Sequence, residues 1–277
     1  MHRFYIAPNE WNPDSLVLSG SEAHHARNVL RMERGAKLVV FNGQGREITA
    51  EIVDLFRHGT DSPGRARDEI RLRKLHEGET PPLRCRITLG QAVPKGKNMD
   101  LIIQKAVEIG AAEICPLISD RTVVHVDPES AAQKQTKWQT IAIEAAKQCG
   151  QNWLPQVQAP RKLSEFFSDA SVAAVYDRRS MESSDAHRAP LQQLRLIGSL
   201  QSDAQHLKKI LAEYAAQHGD RPASVLMLIG PEGDFTPAEL GLARSHGCRP
   251  ITLGPIILRV ETAALYCLSI LSYELLA

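Results

Sequence analysis

Apolar positions change their spacing partway along the chain. In residues 1 to about 76 they alternate with polar ones. LVVF at 38–41 is an apolar run, and Asn42-Gly43 after it is a hairpin signal because both residues tolerate φ > 0. The return segment, Glu47 to Phe56, sets Ile48, Ala50 and Ile52 on one face and Thr49 and Glu51 on the other. A further run, EIRLRKLH at 69–76, places Ile70 and Leu72 opposite Arg71 and Arg73. One helix is predicted here, from Ser21 as N-cap to about Met32. The polar stretch RHGTDSPGRARD at 57–68 is predicted as a loop. Together these segments predict a small barrel or curled sheet.

After GETPP at 78–82 the pattern becomes strand–helix alternation. Continuous apolar runs at 86–89, 113–118, 172–176, 224–229 and 250–253 predict buried strands. Helical spacing occurs at about 97–109, 131–149, 202–217 and 237–246, and a last helix at about 260–276. That alternation predicts an α/β domain with a largely parallel sheet. The expected division is residues 1–77, a linker at 78–83, and 84–277. Its 277 residues also favour two domains, at roughly 100–200 residues each.

Composition narrows the class. Hydrophobic residues make up 43% and charged residues 23%, which excludes a disordered or collagen-like chain. The formal net charge is +1, so a nucleic-acid partner requires locally gathered cations. One such group is His24, His25, Arg27, Arg31, Arg34 and Lys37, with Glu33 the only acid among them. It reads equally as a solvated face. The five cysteines are odd in number and lack CxxC spacing, which argues against a disulfide framework or zinc ribbon. The N-terminus carries no signal-peptide pattern, and the most apolar stretch, Thr262 to Tyr273, is shorter than the ~20 residues of a membrane span. A cytoplasmic protein without a membrane partner is expected.

Several familiar motifs fail. G-x-G-x-x-G, G-x-S-x-G and H-E-x-x-H are absent. GQAVPKGKN at 90–98 resembles a P-loop but has one residue too many between its glycines, and Asn98 where Ser or Thr should stand. No metal site is expected.

Two late segments carry more information. In LIGPEGDFTPAEL, 228–240, an apolar strand enters a Gly-Pro-Glu-Gly loop. Thr236 then caps a helix, Pro237 takes its first position, and Glu239 completes a capping box. In ITLGPIILRVETAALYCLSIL, 251–271, a second strand ends at Leu253-Gly254, and a loop bearing Arg259 and Glu261 leads into an apolar helix. Ligands of open α/β sheets sit at the carboxyl ends of strands, so two such loops make one candidate site. A plain structural turn is the competing reading of Gly230-Pro231, and a macrodipole contact that of Glu261.

Ile229-Gly230-Pro231-Glu232-Gly233, Leu253-Gly254-Pro255, Ile257-Leu258-Arg259 and Glu261-Thr262-Ala263 together resemble the RsmE family of bacterial 16S ribosomal RNA uridine-N3 methyltransferases, in the SPOUT superfamily. KGKNMDLIIQKAVEIGAAEICPL at 95–117, Asp120-Arg121, Glu144-Ala145-Ala146 with Gln148 and Gly150, and the N-terminal Arg3-Phe4-Tyr5, Gly20 and Val29-Leu30-Arg31 extend the likeness along nearly the whole chain. The resemblance implies a PUA-like RNA-binding β-barrel followed by a trefoil-knotted α/β domain, a homodimer contact through the helix from 261, and 16S ribosomal RNA or the small subunit as partner. S-adenosylmethionine would lie against Ile229, Gly230, Glu232, Gly233, Leu253, Gly254, Ile257 and Leu258, with Tyr176 in a third loop. Arg259 would orient the base, and Glu232 or Glu261 would position it or accept a proton. RNA contacts would come from His25, Arg27, Arg31, Arg34, Lys95 and Arg121. This chain departs from the family at Ile256 and Gln151, where arginine is usual, and at Asp234, where a second glycine is frequent. Those departures point to a shifted RNA target, or to a catalytically weak or silent RNA-binding or ribosome-assembly protein of the same fold. An enzyme acting on a phosphorylated small molecule is the other alternative, and calorimetry with S-adenosylmethionine against ATP separates it.

Overall fold

The computed structural model describes residues 1–58, 67–122, 127–168 and 193–276. They form two compact units, Met1–Pro82 with Ile143–Leu154, and Leu83–Ala142 with Pro155–Ala277.

The first unit is built on a five-stranded sheet. Its strands are β1 (Arg3–Tyr5), β2 (Leu16–Ser19), β3 (Lys37–Phe41), β4 (Arg46–His58) and β5 (Arg67–Glu79), in the order β1-β3-β4-β5-β2. Only β1 and β3 pair in parallel; the other neighbours are antiparallel. The predicted alternation holds, with Ile48, Ala50, Ile52, Ile70 and Leu72 buried alongside Phe4, Leu18, Leu38 and Val40. Each such aliphatic side chain contributes ~1.5–3 kcal/mol on full burial. Register shifts at Thr49/Ala50 and Ile52/Asp54 interrupt the long β4–β5 ladder and add twist. Gly78 and Glu79 continue that ladder, opposite Glu47 and Arg46.

Two local readings need correction. In the hairpin loop Gly43 and Gly45 take positive φ, at 73° and 90°, and Asn42 does not. Asn42 instead folds its side chain back, its Oδ1 accepting from the backbone of Gln44 at 2.8 Å and of Arg46 at 3.1 Å. The predicted helix is also shorter and starts earlier. Ser19, not Ser21, stands at the N-cap of α1 (Gly20–His24), and a π-helical turn over His25–Val29 follows. Arg31, at φ 52°, ends it before Met32.

The second unit runs β6 (Arg86–Ala92), α2 (Asn98–Ile109), β7 (Glu113–Ile118), α3 (Pro128–Cys149), β8 (Gln156–Val157), β9 (Arg161–Lys162), α4 (Leu163–Ser168), β10 (Leu194–Gly198), β11 (Gln205–His206), α5 (Leu207–His218), β12 (Ser224–Ile229), α6 (Pro237–Ser245), β13 (Arg249–Thr252) and α7 (Val260–Leu275). The last residues of α3, from Ile143, belong to the first unit. The sheet order is β11-β13-β10-β12-β6-β7-β8, with β9 also beside β7. Every pairing in it is parallel. All six residues of β12 are buried, as expected for a strand covered on both faces. The helix predicted from 202 begins at Leu207, because Gln205 and His206 pair with Ile251 and Thr252. The strand predicted at 172–176 lies outside the described residues. Among the described residues, no helix is long and apolar enough to cross a membrane.

Candidate active site

The strands β13, β10 and β12 are neighbours in that order, so three parallel carboxyl ends meet on one edge. A cavity of about 730 Å³ opens there. Its walls are the loop after β12 (Ile229–Glu232 and Asp234), the loop after β13 (Thr252–Arg259), and the loop after β10 (Gly198–Gln201). Asn98 of α2 and Val260, Glu261 and Ala263 of α7 complete it.

The residues expected from the sequence therefore converge. Ile229, Gly230, Glu232, Leu253, Gly254, Ile257, Leu258, Arg259 and Glu261 all line this cavity. Gly233 lies beside it, where its carbonyl accepts from the Arg121 guanidinium. Tyr176 lies outside the described residues. The sequence predicts the third loop after 172–176; among the described residues that place is taken by Ser199, Leu200 and Gln201. LRLIG, 194–198, ends in glycine like the other two, but Arg195 breaks its apolar run.

Local structure explains the shape of the loops. Gly254 has φ 107°, which L side chains rarely adopt, and its N–H donates to Thr252 Oγ1 at 3.3 Å. Thr236, Pro237 and Glu239 make the predicted capping box, so the loop after β12 stops sharply at α6. Asp234, at φ 63°, accepts from Phe235 N at 2.8 Å and from Leu200 N at 3.4 Å. It thereby ties the loop after β12 to the loop after β10.

The charged groups are few and fixed. Glu232 Oε1 accepts from Lys95 N at 2.9 Å, and Glu261 Oε2 accepts from Asn98 Nδ2 at 3.1 Å. Both carboxylates thus hold the 95–98 segment at the cavity. Arg259 is the cation of the lining and is exposed. Ile256 and Ile257 are 73% and 77% exposed, so one lip of the cavity is apolar. Burial pushes Cys85, Cys248 and Cys267 up to about 12 and raises Cys115 further, so none supplies a thiolate near neutrality.

In the first unit the four expected RNA contacts divide into two kinds. Arg31 and Arg34 are exposed. Arg27 has its NH1 bonded to Phe56 O at 3.2 Å and lies 3.6 Å from Asp68. His25 is half-buried, edge-on to the Phe4 ring at 6.2 Å.

Comparison with known proteins follows this geometry. Residues 81–272 match the RNA methyltransferase domain family, and residues 18–58 match the RNA methyltransferase PUA domain. The chain is similar to ribosomal RNA small subunit methyltransferase E of Synechocystis, at 30% identity over 95% of this chain and 74% of that one. The protein of the same name from Bacillus subtilis is 28% identical over 99% and 97%. A methyltransferase structure from Legionella pneumophila with bound S-adenosylmethionine superposes with a TM-score of 0.75 at 32% identity, covering 98% of this chain and 97% of that one. Ribosomal RNA small subunit methyltransferase E of Neisseria gonorrhoeae, bound to S-adenosylmethionine, gives a TM-score of 0.73 at 29% identity, covering 99% and 98%.

Proposed function

This chain belongs to the ribosomal RNA small subunit methyltransferase E family, and on that premise we propose that it methylates N3 of a specific uridine in 16S ribosomal RNA, using S-adenosylmethionine. The observation that carries this reading is the cavity at the three adjacent strand ends. Its volume suits a small-molecule cofactor. Its glycine-rich loops offer main-chain groups for a nucleoside, its Ile256–Leu258 lip offers an apolar surface for a base, and its carboxylates favour a cation. Bound there, S-adenosylmethionine supplies a methyl group on a positively charged sulfur.

The residues that would hold it are Ile229, Gly230, Glu232, Gly233, Leu253, Gly254, Ile257 and Leu258, joined by Ser199–Gln201. Neutral uridine N3 carries a proton, which must leave as the new bond forms. Of the lining carboxylates, Asp234 has both oxygens engaged, with Phe235 and with Leu200. Glu232 and Glu261 therefore remain as proton acceptors. Arg259 orients the base and offsets charge developing on its ring. Lys95 and Arg121 contact RNA near the cavity, and His25, Arg27, Arg31 and Arg34 contact phosphates from the first unit. Phosphate contacts set register and affinity, while the cavity selects the base.

The reading includes a cytoplasmic homodimer that meets through α7, whose Thr262, Tyr266, Ser269 and Tyr273 share an exposed face. It also includes a trefoil knot, supported by β13 lying between β11 and β10. Isothermal calorimetry tests the cofactor assignment. S-adenosylmethionine should bind, ATP should not, and Gly254→Val should abolish the heat. ATP binding in its place would favour an enzyme of phosphorylated small molecules.

A further inference from the structure

Read locally, Glu239 has one task, as the third residue of a capping box. The structure gives it a second. A capping-box glutamate ordinarily sits at a helix surface, yet Glu239 is only 7% exposed. Its N–H donates to Thr236 Oγ1 at 3.3 Å and its Oε2 accepts from Thr236 N at 2.9 Å, which together are the capping box. The same oxygen accepts from the Ser119 hydroxyl at 3.1 Å, and Oε1 accepts from Asp120 N at 3.0 Å. Those last two donors lie about 120 residues away, on the loop that leaves β7.

This second pair of bonds is aimed at something. The residue after Asp120 is Arg121, whose N–H reaches Ser119 Oγ at 3.3 Å and whose guanidinium donates to the Gly233 carbonyl. Gly233 is next to cavity-lining Glu232. A Cβ at Gly233 would stand 3.3 Å from Arg121 Cδ, so the arginine stem lies along that peptide. Main-chain donors to a buried carboxylate fix a loop more firmly than exposed pairs, because charge-assisted bonds are the stronger kind.

We infer that Glu239 is a positioning residue, which locks the Ser119-Asp120-Arg121 loop to the loop after β12 and so holds Arg121 beside the cavity to meet the RNA. This rests on the reading of Arg121 as an RNA contact. The Glu239 bonds to Ser119 Oγ and Asp120 N are distinct from its bond to Thr236 N, so cap and lock respond differently to mutation. Thr236→Ala removes the cap hydroxyl, with its 3.4 Å bond to Asp120 Oδ2, and keeps the Glu239 bonds to Ser119 Oγ and Asp120 N. Glu239→Gln cannot satisfy every donor, since its amide nitrogen accepts nothing. Ser119→Ala removes the donation to Glu239 and the acceptance from Arg121 N, and leaves the bond from Asp120 N to Glu239.

The experiment is steady-state methyl transfer to small ribosomal subunits lacking the modification, with KM for the subunit and kcat measured separately. Arg121→Ala and Glu239→Gln should each raise KM about tenfold with kcat little changed, and the double variant should be no worse than Arg121→Ala. Ser119→Ala should shift KM the same way by a smaller factor. Thr236→Ala should lower Tm and move KM less than Ser119→Ala does. If Glu239→Gln has normal KM while Arg121→Ala does not, or if the two effects multiply, Glu239 only caps its helix and the inference fails. It fails equally if Glu239→Gln does not fold and Ser119→Ala leaves KM unchanged. If Arg121→Ala has normal KM, the RNA role of Arg121 falls, and this inference with it.

Discussion

In the first unit, β4 over Ile48–Ile52 and β5 over Asp68–Leu72 bury every second side chain and leave the others, several of them charged, outside. In the second, β12 and most of β6 are buried on both faces, and the chemistry sits where the strands stop. The contrast separates two ways of building a nucleic-acid enzyme. A half-covered sheet presents side chains to solvent, such as Arg71 and Arg73 of β5. A fully covered sheet has no face to spare, so its contacts are loops shaped by Gly230 and Gly254 and cross-tied by Asp234, Glu232 and Glu261.

The sharpest way to break this comparison is Arg259→Ala. It should lower kcat on the order of 100-fold, as removal of one preorganised donor does, with S-adenosylmethionine affinity retained. A normal kcat would remove Arg259 from the mechanism.

Alkaline pH distinguishes the two cores. Cys85, Cys248 and Cys267 all lie in the second unit, and Cys149 of the first unit is exposed. Unfolded thiols ionise near 9, whereas the folded ones hold their protons to about 12. Between those values the unfolded chain binds fewer protons, so stability falls as pH rises. The loss should reach roughly 1 kcal/mol per buried thiol by pH 10. Urea unfolding followed by Trp138, with Trp11 and Trp153 replaced by Phe, reads the second unit. An unchanged midpoint from pH 8 to 10 would refute the thiol account.

Legibility in the sequence differs by feature. The alternation at Ile48, Ala50 and Ile52 and the Thr236–Glu239 cap are local, so they are legible. β10 is not, because Arg195 interrupts its apolar run; the side chain finds His246 O at 2.9 Å, a partner 51 residues on. The two-residue strands β8, β9 and β11 are too short for any period to register. Asn98 stands out only as a mismatch to a P-loop, and its bond to Glu261 spans 163 residues. Such long-range partners leave no mark on neighbouring sequence.

Smaller effects refine the contrast. Replacing Arg31 and Arg34 together should weaken RNA binding roughly tenfold and reduce the slope of log affinity against log salt by about 2. S-adenosylmethionine binding should not change; if it does, the division of labour between the units is wrong. Thr236→Ala should cost about 1 kcal/mol of stability, the usual worth of an N-cap, measured by urea unfolding at neutral pH.

The central claim is that the cavity at the ends of β13, β10 and β12 carries methyl transfer to uridine N3. Mass spectrometry of unmodified small subunits, incubated with the protein and methyl-labelled S-adenosylmethionine, tests it directly. The account predicts one labelled N3-methyluridine in 16S ribosomal RNA, lost with Arg259→Ala. Unlabelled RNA, or label on another base or atom, would contradict it.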